Sequence, residues 1–276
     1  MNGGAHALRT APSSSPRRDR QYTQSVGRAL ALLQAFRPTR PSISLTDLAR
    51  AAALDKATVR RLLLTMKEHG FIEQDAATRQ YTLGPAVLEI GAAVRLNREL
   101  REIVRPIMYE LAKRTGLTTF LGVVAGHEAM CMERIESASP IQVRMWLPGA
   151  KLPLNCGSAP RVLLAHLPEP QRREVFAGYL GRLTLRSQVN QRALVRDLHR
   201  IRARGWEFAA DDVAIGVAAL GVPVPDRAGN VVAALSVSGL THELGNPSGP
   251  RFLEELRRAA RRLSPQLDDS SFRFAR

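Results

Sequence analysis

Cysteine, lysine and long apolar runs are all scarce in this chain of 276 residues. Only Cys131 and Cys156 occur, far apart and without a CxxC, which excludes a disulfide framework and a cysteine-rich zinc site and fits a reducing cytoplasm. The longest apolar stretch, residues 214–224, is about half of the roughly 18 to 20 residues that cross a bilayer, so no membrane span is expected. The basic N-terminal residues have no apolar segment behind them, so no secretory signal is expected either. Catalytic signatures are missing too. There is no GxxxxGK[ST], no GxGxxG after a strand and no GxSxG; His127-Glu128 begins an HExxH and fails at Cys131. Cys156 has no base in its sequence context. Asp211-Asp212 reads as a loop cap, and His166 and His199 as helix residues that pack or face water. Neither an enzyme nor a cofactor or metal site is expected.

Because Lys56, Lys67, Lys113 and Lys151 are the only lysines, the 40 Lys+Arg set against 25 Asp+Glu are chiefly an arginine surplus, net +15. A surplus of this size attracts polyanions, nucleic acid first among them, although arginine-rich composition alone produces the same number. Position separates the two readings. Residues 1–84 hold 13 basic and 6 acidic side chains, whereas residues 85–276 hold 27 and 19 over more than twice the length. The first third is the more basic part.

Residues 1–21 are rich in Gly, Ser, Pro and Arg without apolar periodicity and read as a basic tail. Helical spacing then begins: Val26, Leu30, Leu33 and Phe36 recur until Pro38 and Pro41. A second helix is expected after Ser44, an N-cap with Asp47 at the capping-box position, burying Leu45, Leu48, Ala49 and Ala52. A third spans residues 56–69, burying Val59, Leu62, Leu63 and Met66 and stopping at Gly70. Two short helices around the turn Ala53-Leu54-Asp55 make a helix-turn-helix. Residues 70–74 and 79–83 read as strands joined by a turn at 75–78. That hairpin is a wing with Arg79 near its tip, suited to a phosphate contact. From Leu83 to residue 111 the pattern is helical again, with a kink or break expected before Pro106. Its apolar stripe needs a cover, either a second copy of the chain or its own following domain.

The remainder alternates. Strands are expected at 118–125, 128–135, 141–146, 217–224 and 231–238, the last two joined by hairpin residues 225–230. Helices are expected at 160–166, 171–180, 191–204 and 250–263. Short links between consecutive strands imply a largely antiparallel sheet with helices against it, an α+β fold.

The runs SVGRALALLQAF, SLTDLARAAALDKATVRRLLLTMKEHGFIEQD and RQYTLGPAVLEIG resemble the DNA-binding domain of the IclR family of bacterial transcriptional regulators. LPLNCGSAPRVLLA and IRARGWEFAADDVAIGVAALGVPVPDRAGNVVAALSVSG resemble the same family's effector domain, so the likeness covers about residues 21–268. It implies a winged helix-turn-helix at 22–84, a linker helix at 85–99 used in dimerisation, a GAF-like α/β effector-binding domain at 100–268, and a tail at 269–276. The implied partners are a pseudo-palindromic double-stranded operator, a small organic acid and a second copy of the chain, with tetramers possible, in the cytoplasm at the nucleoid.

On the residues themselves, Ser44, Lys56, Thr58, Arg60, Arg61 and Arg79 are the candidate DNA contacts, Thr58 and Arg61 foremost, because base edges are usually reached from the recognition helix N-terminus. The resemblance points to Ser158-Ala159 at a helix start and to Ser236 and Ser238 on the last strand as effector residues. Helix N-terminal amides and strand hydroxyls both suit an anion. Met145 and Trp146 are candidates for an apolar wall. The family's pattern is broken where Ala209 and Ala219 stand at positions that supply an Asp and a Cys, and where Pro160-Arg161 replaces Gly-Lys. A less polar, roomier pocket for an aromatic or otherwise bulkier acid is expected.

Overall fold

The computed structural model describes residues 23–37, 40–92, 95–137, 145–178, 180–246 and 248–267. Both tails and residues 141–144 of the expected strand lie outside that set. The chain divides into two compact units between residues 94 and 95.

The first unit holds α1 (Gln24–Leu33), α2 (Leu45–Ala52), α3 (Lys56–Glu68), a hairpin of β1 (Ile72–Gln74) and β2 (Tyr81–Leu83), and α4 (Pro85–Ala92). Ser44 caps α2 by accepting the Asp47 amide, and its hydroxyl donates to Asp47 Oδ2 at 3.0 Å. Ala53 ends α2 in the left-handed region at φ 52°, turning the chain into Asp55, whose carboxylate accepts the Thr58 amide at 2.8 Å and starts α3. Leu32, Leu48, Val59, Leu63 and Ile72 meet in a core from which water is almost wholly excluded. Leu62, expected buried, sits at its edge. One pairing is absent from the sequence pattern: Ile43 and Tyr81 exchange both backbone hydrogen bonds at 2.9 Å, tying the hairpin to the segment before α2.

The second unit opens with α5 (Arg95–Thr115), which runs through Pro106 as a single helix, so of the kink or break expected there the break is not found. Its Val104, Ile107, Met108 and Leu111 are buried against the sheet, so this half of the apolar stripe is covered by the chain's own domain. β3 (Thr118–Ala125), β4 (Glu128–Ile135), β5 (Lys151–Pro153), β6 (Glu207–Ala210), β7 (Val217–Pro225) and β8 (Val231–Leu240) form one antiparallel sheet in the order β5-β4-β3-β8-β7-β6. Met145 and Trp146 lie in a bend rather than a strand. The strands β5 and β6 carry no long alternating pattern and escape sequence reading.

α6 (Ser158–His166) and α8 (Gln191–Arg204) cover one face of the sheet. α5 and α9 (Leu253–Leu263) cover the other. α7 (Glu169–Ala177) precedes α8, whose cap is Asn190. The 225–230 turn is held by Asp226, whose Oδ1 accepts the Ala228 and Asn230 amides. Sandwiching a sheet between two helical layers gives it two buried faces, and that leaves room for a cavity between sheet and helix.

Candidate functional site

The first unit presents a face on α3. Lys56, Arg60 and Arg61 are exposed, and so is Leu64 at 59%, one turn beyond Arg60 and Arg61 on the same outward side. Thr58 is half-buried, and its amide is used by the Asp55 cap. Ser44 is likewise engaged with Asp47, which also pairs with Arg40 at 2.6 Å and Arg50 at 3.0 Å. The Ser44 hydrogen bond and the two arginines hold the Asp47 carboxyl below its usual range. Arg79 is exposed at the wing, in the left-handed region at φ 58°. Its turn is set by Asp75, whose Oδ1 accepts both the amide and the hydroxyl of Thr78. Leu64 is an apolar residue on this face that the sequence expectations leave out. Its signal is there, since it falls off the stripe of Val59, Leu63 and Met66.

The second unit forms a partly open pocket of about 50 Å³ between α6 and the sheet, lined among others by Phe120, Met145, Trp146, Ser158, Ala159, Ala209, Asp212, Ala219, Ser236 and Ser238. All eight residues named from the sequence for this site converge here. Strand register explains how: Ser236 pairs with Phe120 on one side and Gly221 on the other, while Ala219 pairs with Ser238 and Ala209. Gly221 lets the strand approach α6. A Cβ there would stand 3.1 Å from both Ser158 Oγ and the Ala159 nitrogen.

The polar groups are not equivalent. Ser158 Oγ is buried with no hydrogen-bond partner among the described residues. Ser238 Oγ already donates to the Ala218 carbonyl at 2.8 Å. The first amide of the α6 entry, Gly157 N–H, donates to Asp212 Oδ2 at 2.8 Å. Burial pushes the Asp212 carboxyl above its ordinary range, while Arg161 pulls the other way. Asp211 caps the loop, its Oδ1 accepting the Gly216 amide at 2.6 Å, whereas Asp212 lines the pocket beside the α6 entry. Phe120 and Trp146 stack with centroids 5.9 Å apart, and the Trp146 ring covers Gly122. Beyond the cavity, Glu207 is buried between Arg161 and Arg204.

Among the described residues no three His, Cys, Asp or Glu side chains are placed to share a metal ion, and no helix is long and apolar enough to cross a membrane. Burial pushes the Cys131 thiol up to about 12 and the Cys156 thiol to about 11, which leaves both protonated and poor nucleophiles at neutral pH.

A winged helix-turn-helix joined to an α+β unit with a small pocket is the build of a transcriptional regulator with its own sensor. Residues 25–76 match the IclR helix-turn-helix domain, and residues 92–265 match the C-terminal domain of the bacterial transcriptional regulator IclR. The chain belongs to the IclR family of DNA-binding transcriptional regulators, a non-enzymatic family. It is 32% identical to the HTH-type transcriptional regulator XynR of Escherichia coli K12, over 88% of this chain and 97% of XynR. It is 31% identical to the transcriptional repressor IclR of the same strain, over 86% and 85% of the two chains. Among solved structures, an IclR homologue from Microbacterium hydrocarbonoxydans complexed with 4-hydroxybenzoate is 25% identical, with a TM-score of 0.73 over 90% of this chain and 99% of that one. A regulator from Silicibacter sp. TM1040 gives a TM-score of 0.76 at 28% identity, covering 87% of this chain and 94% of that one.

Proposed function

We propose that this regulator binds a pseudo-palindromic operator as a homodimer and that a small organic acid in the cavity behind α6 changes its affinity for that operator. One observation carries the sensing half: a cavity whose wall includes the buried, unpartnered hydroxyl of Ser158. A buried polar group without a partner costs free energy, and a ligand oxygen supplies the missing bond. The 4-hydroxybenzoate held by the Microbacterium homologue supports an organic acid as the class. With the side chains as placed, about 50 Å³ takes a few waters or a very small acid, so a bulkier acid enters by displacing Met145 and Trp146 at their bend.

On DNA, Arg60 and Arg61 meet phosphates and base edges while Leu64 lies against a thymine methyl, a contact its exposure on the same helix face allows. Thr58, tied to its cap, serves chiefly to start the helix. Leu88 at 77% exposure and Ile90 at 56% on α4 are apolar surface that a second copy of the chain would cover. Two copies reading two half-sites double the contacts of a single short helix. The reading places the protein at the nucleoid, in the cytoplasm. A mobility-shift assay on the DNA flanking its own gene, with and without candidate acids, tests it. A site-specific, salt-sensitive shift that an acid alters is expected. No shift at any salt overturns the reading, and equal shifts on every duplex overturn the specificity.

A further inference from the structure

A single cross-strand row runs over the α6 face of the sheet: Arg134 on β4, Phe120 on β3, Ser236 on β8, Gly221 on β7 and Glu207 on β6 are successive register partners. Directly opposed residues in antiparallel strands point to the same side, so these five share one face. Phe120 and Ser236 in the middle of the row line the cavity, and Gly221 backs Ser158.

The two ends of the row carry buried charge, and among the described residues each keeps guanidinium nitrogen without a partner, Arg161 Nε at one end and two nitrogens of Arg134 at the other. At one end the Glu207 carboxylate is held by two cations, Arg161 and Arg204. At the other, the Arg134 side chain is 6% exposed, yet among the described residues only its Nη1 has an anionic partner, Glu136 at 2.9 Å, whose side chain is 43% exposed. Arg134 Nε and Nη2 are buried and have no hydrogen-bond partner among the described residues. Nε–H and Nη2–H point the same way from a guanidinium, and together they form the side-on fork that takes both oxygens of one carboxylate. A half-paired guanidinium away from water is costly, which makes it a strong binder of any anion that reaches it.

The α6 N-terminus is a poor competitor for that anion. The Gly157 amide is already spent on the buried Asp212 carboxylate, and a second carboxylate beside it would meet like charge. The cavity's α6 end, with Ser158 Oγ unpartnered and Asp212 an acceptor, suits a neutral hydroxyl instead. Neighbouring strands lie about 4.8 Å apart, so Arg134 on β4 and Gly221 on β7, the position behind Ser158, are separated by roughly 14 Å, a gap that the long Arg134 side chain and a hydroxy acid of aromatic length bridge together once the Phe120–Trp146 stack parts.

We propose that Arg134 is the carboxylate-binding residue of the effector site, and that the effector is a hydroxy acid with its acid end at Arg134 and its hydroxyl at Ser158 and Asp212. This rests on the acid-responsive reading above.

The test uses the full chain and a panel of hydroxy acids (glycolate, lactate, 3-hydroxybutyrate and 4-hydroxybenzoate), each beside its amide. Calorimetric affinities are measured for wild type, Arg134→Gln and Arg134→Lys, with thermal midpoints of the unliganded proteins. At least one acid is expected to bind the wild type at least tenfold more tightly than its amide, with that preference lost in R134Q and partly kept in R134K. The unliganded R134Q midpoint is expected not to fall, because the substitution removes a half-paired buried charge. Acid affinity equal in R134Q and wild type overturns the assignment. So does an equal loss for acid and amide, or a panel in which no acid outbinds its amide. Mobility shifts on a wild-type-selected duplex separate the two ideas. An acid that alters the shift equally in wild type and R134Q sinks the Arg134 site alone. An acid that binds through Arg134 without altering the shift sinks the acid-responsive reading alone.

Discussion

The carboxylate of Asp212 accepts the amide of Gly157 at 2.8 Å, joining the loop after β6 to the entry of α6 at the wall of the cavity. Burial raises the pKa of this carboxyl, as it does that of Glu207. A carboxyl whose folded value lies above its unfolded one favours the folded state at low pH and loses that contribution as pH rises through the folded value. Asp212→Asn keeps an acceptor for Gly157 without the charge. Its thermal midpoint relative to wild type is expected to climb as pH is raised from about 4.5 to 8; a difference independent of pH defeats the argument.

Gly221 is expected to tolerate no side chain. Gly221→Ala puts a Cβ 3.1 Å from Ser158 Oγ and the Ala159 nitrogen, so β7 or α6 must shift. Overpacking of this kind costs about 1 to 3 kcal/mol. The second unit's unfolding midpoint should fall and acid binding weaken together, as read by calorimetry. Unchanged affinity would show that the cavity does not depend on this approach.

On α3, Arg61→Ala and Arg60→Ala are expected to weaken operator binding strongly and to flatten its salt dependence by about one unit of slope for each phosphate no longer neutralised. Leu64→Ala is expected to weaken binding with the salt slope unchanged, because it carries no charge. Fluorescence anisotropy across a salt series distinguishes the three.

At the wing, Arg79 sits at φ 58°, a conformation glycine adopts without penalty. Arg79→Gly should leave the first unit as stable as before or slightly more so while weakening DNA affinity, and Arg79→Ala, which keeps the Cβ and its strain, should weaken DNA affinity with stability unchanged. A wing arginine irrelevant to DNA predicts equal affinities for all three proteins.

Alkylation checks the interior. With Cys131 pushed up to about 12 and Cys156 to about 11, iodoacetamide at pH 8 should label neither thiol in the folded protein and both after denaturation. Rapid labelling of the native chain by intact mass would contradict their burial.

Much of this molecule was legible along the chain because its signals are local. Ser44 with Asp47, the left-handed turn at Ala53 and the stop at Gly70 depend on residues within one helical turn, and so does the hairpin at 225–230. Period-two runs marked β3, β4, β7 and β8 for the same reason. Pro106 does not break α5, because a missing amide weakens a helix without ending it when the flanking turns are buried, as Val104, Ile107 and Met108 are. The strands β5 and β6 were illegible because they are short and borrow their stability from neighbours.

By itself the sequence determined the order of the parts: a basic helix-turn-helix and wing, a helix, then an α+β unit, together with the residues converging on the cavity. Tertiary structure alone decided which polar groups are free. Ser238 is spent on Ala218, the α6 entry is spent on Asp212, and Ser158 and Arg134 keep donors without a partner among the described residues. Those outcomes depend on strand register and on burial between elements far apart along the chain, and no local pattern encodes either.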